Sequence, residues 1–148
     1  MSYGKGQSFD TGLLQAIFTA TFSNATIVNL FANSSTSVLT TLYVALHSAD
    51  PSATGSQTSN EVSYTSYARI GIARTTGGWT VGTATVSPAA TISFPACTGG
   101  TATATYWSVG TASSGAGNLL YAGPLSPSIS ISNGITPQIV TGSTITES

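Results

Sequence analysis

The chain has 148 residues, about one ordinary domain, and only 5% of them are Asp, Glu, Lys or Arg, against about 25% in typical soluble domains. The net charge of −1 comes from Lys5, Asp10, Asp50, Glu61, Arg69, Arg74 and Glu147. Three basic residues neutralise few phosphates, which argues against nucleic acid as a partner. The longest apolar candidate, Thr26 to Leu46, is broken by Asn29, Asn33 and a Ser/Thr cluster, so no membrane span is expected.

The first rhythm along the chain is helical, over Asp10 to Phe22. Leu13, Leu14, Ile17 and Phe18 line one face, and Asp10 is placed to act as the N-cap by accepting free backbone N–H groups. Such a short amphipathic helix needs a partner surface for its apolar stripe. Ser23 to Thr41 mixes apolar residues with Asn, Ser and Thr and reads as a second short helix or an ordered arm. From Leu42 the pattern changes to strands. Leu42 to His47 is β-branched and aromatic and stops at Asp50-Pro51, and residues 51–60 form a polar loop. Further strands are expected over Tyr67 to Thr75, through Trp79 and Val81 after the Gly77-Gly78 turn, and over Thr85 to Phe94 with a break at Pro88. Thr101 to Val109, Asn118 to Ala122, Ser128 to Ile131 and Gln138 to Val140 complete the set. Seven or eight short strands without a βαβ rhythm predict a mainly β fold, an antiparallel sandwich or barrel with a short N-terminal helix. The expected division is a helix and arm over residues 1–41 and a β-sandwich domain over residues 42–148.

Groups able to do chemistry are scarce. His47 and Asp50 lie three apart and serines abound, but G-x-S-x-G is absent, so no catalytic residue and no enzymatic activity are expected. His47, Asp50 and Glu61 are the nearest thing to a metal set. The simpler reading gives His47 a polar place at a strand end and Asp50 the task of capping the turn at Pro51, with no metal and no cofactor. Cys97 is the single cysteine, which excludes an intrachain disulfide, and it reads as an inert small residue near a turn. The glycine clusters do not match a phosphate-binding loop and read as turns. Trp79, Phe94, Trp107 and Tyr121 sit inside strand runs and are expected to anchor the core; exposed, they would instead serve as platforms for stacking sugars. Arg69 and Arg74, five apart, fall on opposite faces of their strand, and either can pair with Glu61 or with a neighbouring subunit. With so little charge opposing association, the surface reads as one that neighbours cover. The residues expected to make such contacts are Leu13, Leu14, Ile17, Phe18, Phe22, Arg69 and Arg74.

Several ordered segments carry a family resemblance. LYVALHSADP (Leu42 to Pro51) resembles the LYVALHTADPG stretch of a bacteriophage family usually labelled tail-fibre or minor tail proteins. NEVSYTSYARIGIARTTGGWTV (Asn60 to Val81), SFPACTGGTATATYWSVGTASSGAGNLLYAGPL (Ser93 to Leu125) and ISNGITPQI (Ile131 to Ile139) follow in the expected order, and MSYGKGQSFDTGLL is similar to the family's opening. Two departures are Ser52, where relatives often have glycine, and Tyr106, where they often have histidine. The resemblance implies a virion structural protein, made in the bacterial host cytoplasm, that works by assembly. Small β-rich phage proteins of this size often serve as head cement. The expectation is therefore a capsid cement or decoration protein contacting the major capsid protein and copies of itself. The alternative is a tail or tail-fibre component that contacts tail proteins and binds a receptor or glycan.

Overall fold

The computed structural model describes residues 6–21, 39–52 and 55–147. Helix α1 spans Gln7–Leu14 and continues into a π-helical turn, Gln15–Thr19. Nine strands follow among the described residues: β1 (Thr41–His47), β2 (Ile70–Ala73), β3 (Trp79–Val81), β4 (Thr85–Pro88), β5 (Ile92–Ser93), β6 (Ala102–Gly110), β7 (Leu119–Ile131), β8 (Gln138–Ile139) and β9 (Ile145–Thr146). The fold is mainly β with antiparallel sheets, as the strand grammar predicts, and no barrel closes among the described residues.

Contacts gather the elements into two units. One holds α1, its π-turn, β3, β4 and β9; the other holds β1, β5, β6, β7, β8 and most of β2. In the first unit the helix starts earlier than its apolar periodicity suggests. Gly6 occupies the cap position with no side-chain bond, so Asp10 is not the N-cap; it lies in the first turn, where a carboxylate favours the positive end of the helix dipole. The helix also changes register before its end. The Thr19 hydroxyl donates to the Gln15 carbonyl at 2.8 Å, the Ala20 and Thr21 N–H groups reach the same oxygen, and Ala20 stops the turn in the left-handed region at φ 51°. The residues expected to continue the helix and form the arm, Phe22 included, lie outside those described up to position 38.

The apolar face of this helix meets a three-stranded sheet ordered β3-β4-β9, in which Trp79 pairs with Pro88 and Val86 with both Val81 and Ile145. Leu14, Phe18, Trp79 and Val86 are buried, and the Phe18 ring meets the Trp79 indole edge-on, with centroids 4.7 Å apart at 68°. Replacing Phe18 with alanine is expected to destabilise this unit by about 3–5 kcal/mol. An earlier urea midpoint, read from indole emission, checks it; an unchanged midpoint contradicts the packing.

In the second unit β1 and β6 are the inner strands of a sheet ordered β2-β1-β6-β7, with Tyr43 opposite Gly110 and His47 opposite Tyr106. Leu42, Val44, Ala45, Leu46, Ala104, Trp107 and Val109 fill its core. β5 and β8 form a separate pair through Ile92 and Ile139. The expected break at Pro88 is present, since β4 ends there and β5 resumes at Ile92. Two expected strands merge into the 13-residue β7, whose register against β6 shifts between Ala104 and Tyr106 and again between Val109 and Gly110. The first shift falls where Pro127 lies, while Pro124 pairs with Tyr106 on a strand at the sheet's edge, where a missing N–H is tolerated.

Candidate functional site

The chemistry-bearing residues of the second unit collect around the end of β1. His47 closes β1, the strand-end place its position suggests, and is fully buried there. Its Nδ1 lies 2.8 Å from the Ser59 carbonyl and its Nε2 lies 2.7 Å from Ser108 Oγ. A carbonyl only accepts, so Nδ1 carries the proton and Nε2 accepts from the Ser108 hydroxyl. Burial lowers the imidazole pKa, opposed by the Ser59 hydrogen bond and the Glu61 charge. With the folded value below the unfolded one, the unfolded chain binds a proton that the fold does not. The stability this group contributes is therefore full above about pH 6.5 and is lost as pH falls toward the folded value. A serine hydroxyl on a histidine nitrogen is nucleophile–base geometry, but Ser108 is 1% exposed and His47 is 0% exposed, so the pair is sealed from any substrate.

Asp50 turns away from this cluster. Its carboxylate accepts the Ser52 N–H at 2.8 Å, the local turn expected before Pro51, and the hydrogen bonds from Ser52 hold its carboxyl below the usual range. Among the described residues no group of three His, Cys, Asp or Glu stands close enough to hold a metal.

Glu61 instead receives Arg69. The guanidinium Nε donates to Oε1 and Nη2 to Oε2, both at 2.7 Å, while Nη1 and Nη2 also donate to the Ala112 and Gly115 carbonyls at 2.9 Å. The Tyr67 hydroxyl adds a third bond to Glu61 and accepts the Leu46 N–H. Hydrogen bonding to Glu61 raises the Arg69 pKa against the effect of burial, and burial raises the Tyr67 phenol. Beside this pair, Gln57 is completely buried; its Oε1 accepts the Ala112 N–H at 2.9 Å and its Nε2 donates to the Tyr43 carbonyl. Gly110 and Gly117 make room for it, since a Cβ at either position would stand 2.1–2.2 Å from a Gln57 side-chain atom.

Of the residues expected to make contacts, Leu14 and Phe18 are fully buried in the first unit, Leu13 and Ile17 are half-buried on the same helical segment, and Phe22 lies outside the described residues. Arg69 is turned inward on Glu61. Arg74 donates from Nε to the Ile17 carbonyl and from Nη2 to the Ala16 carbonyl, each at 2.6 Å, and from Nη1 to the Leu39 carbonyl. It thereby serves carbonyls that the helical segment leaves unpaired, and burial lowers its pKa. The two arginines flank β2 and belong to different units.

The pattern most relevant to the surface belongs to a long stretch and not to any single residue. No Asp, Glu, Lys, Arg or His occurs from Thr75 to Thr146, the stretch that supplies β3 through β9. Leu120, Ile135 and Val140 are exposed within it. The family model described as the podophage GP4 fiber I protein gp80 matches residues 17–147. The chain belongs to that family. No curated protein matches it. Membership of the gp80 family makes the chain a structural component of a phage virion. The matched residues include β1 to β9 and the side chains around His47 and Glu61.

Proposed function

We propose that the chain is a non-catalytic tail-fibre component that assembles with copies of itself and with tail proteins through an uncharged β surface. The observation that carries this reading is the charge-free run from Thr75 to Thr146. A surface of hydroxyls, backbone and isolated apolar side chains associates by shape and burial, and charges do not hold copies apart. The family's description as a fibre protein supports the tail position over head decoration, for which the comparison offers no support.

Tail and head readings differ in stoichiometry. A quantitative gel of purified virions is expected to show a handful of copies per particle, and hundreds of copies would return the protein to the head. Association is further expected to change little between low and moderate salt, since few charges are present to screen. Receptor contact through stacked sugars draws little support from Trp79 and Trp107, which are only 1% and 4% exposed.

A further inference from the structure

We propose that Asn133 is a site of spontaneous deamidation, and that the hydrogen bond from the Gly134 N–H to the Cys97 carbonyl holds the reaction back in the folded chain. Succinimide chemistry needs the backbone nitrogen after an asparagine to reach that asparagine's side-chain carbonyl carbon. Of the six asparagines, Asn133 alone is followed by glycine. The others precede Ala25, Leu30, Ser34, Glu61 and Leu119, whose side chains crowd the attacking nitrogen. At Asn133 the Gly134 nitrogen forms a bond to Cγ, and the side-chain nitrogen leaves as ammonia with the proton that the attacking nitrogen gives up. Water then opens the ring. Cleavage of the new bond to Cγ gives aspartate, and cleavage of the bond to the backbone carbonyl gives isoaspartate.

Asn133 is exposed, its side-chain amide makes no hydrogen bond among the described residues, and open space lies beside the Gly134 α-carbon. Ammonia can leave to solvent and water can enter. The nucleophile is the part that is restrained. The Gly134 N–H donates to the Cys97 carbonyl at 2.8 Å, and that carbonyl cannot take its proton. The turn is closed as well by the Ile135 N–H on the Ser132 carbonyl at 2.9 Å, with Gly134 third in it at φ 86°, as a type II turn requires. Cys97 is 1% exposed and returns its own N–H to the Ile135 carbonyl, so the anchor is buried and bonded twice. The Gly134 nitrogen is therefore released for attack only when this turn opens. Either product places the first ionised group between Thr75 and Thr146.

The test incubates the full chain in mildly alkaline buffer beside a synthetic peptide of residues 129–137. Chymotryptic mapping by mass spectrometry, with isoaspartate separated from aspartate, reads the product. The peptide is expected to convert to both acids, and the folded chain to convert at Asn133 about tenfold more slowly or slower still. Exchange of the Gly134 amide should be slowed by a similar factor, since one opening limits both events. Denaturing the chain in guanidinium chloride is expected to bring it to the peptide's rate. Asn133→Ser, a change at an exposed position, is expected to form no acid product in this segment. Equal rates in folded chain and peptide, or a Gly134 amide that exchanges as freely as the peptide's, overturns the restraint. A denatured chain that stays unconverted, or that converts first at another asparagine, overturns the site itself.

Discussion

Replacing Arg69 with alanine is expected to destabilise the chain by about 3–5 kcal/mol, a large share of the roughly 5–15 kcal/mol available to a native domain. The side chains of Arg69 and Glu61 are only 2% and 17% exposed, so truncation leaves a half-buried carboxylate holding only the Tyr67 hydroxyl. It also strips the donors from the Ala112 and Gly115 carbonyls, so the segment from Thr111 to Asn118 should loosen beyond what the lost ion pair accounts for. Arg69→Lys is expected to recover less than half of the loss, because an ammonium cannot meet two carboxylate oxygens and two carbonyls in one plane. Urea denaturation of the three proteins checks both statements. A loss below about 1 kcal/mol for Arg69→Ala would place the pair with ordinary surface bridges.

Gly110→Ala is the second change expected to have a large effect, about 3–5 kcal/mol, combining overpacking with displacement of buried hydrogen bonds. The new methyl would stand 2.1 Å from Gln57 Cδ and 2.5 Å from its Cγ and Nε2. Gln57 cannot swing aside without abandoning the Ala112 N–H and the Tyr43 carbonyl. The two changes are therefore expected to be non-additive. Gln57→Ala removes the obstacle, so the double variant should be little worse than Gln57→Ala alone, with a coupling energy close to the whole cost of Gly110→Ala. Strict additivity in a double-mutant cycle would mean that Gly110 is required for some other reason.

Both effects arise from features that sequence only half discloses. Leu42 to His47 was legible as a strand because β-branched and aromatic residues run up to Asp50-Pro51, and the observed β1 differs from it by one residue. Trp79, Phe94 and Trp107 were legible as core because they sit in strand runs, and they are buried, although Tyr121 is half-exposed. Pairing of Arg69 with Glu61 was among the options that charge alone left open. Its burial was not, and burial turns a contact worth about 0–1 kcal/mol into one whose rupture matters.

What escaped the sequence was tertiary. Gln57 lies in a stretch that reads as a polar loop, and only the approach of Gly110 and Gly117 shows why an amide is sealed there. His47 lies at a strand end in the sequence, yet Ser59 and Ser108 close over it from 12 and 61 residues away. Pro124 and Pro127 look like strand breakers until the edge position of β7 and its register shift accommodate them. β9 has two residues and no periodicity to detect.

The arrangement of the arginines has a consequence for survival outside a cell. Trypsin-like proteases cut after lysine or arginine, and the chain offers them Lys5, Arg69 and Arg74 and no site at all between Thr75 and Thr146. Arg69 is clamped on Glu61, and Arg74 is held by three carbonyls. A particle shed into an environment rich in such enzymes would present them with this protein's β surface and almost nothing on it to cleave.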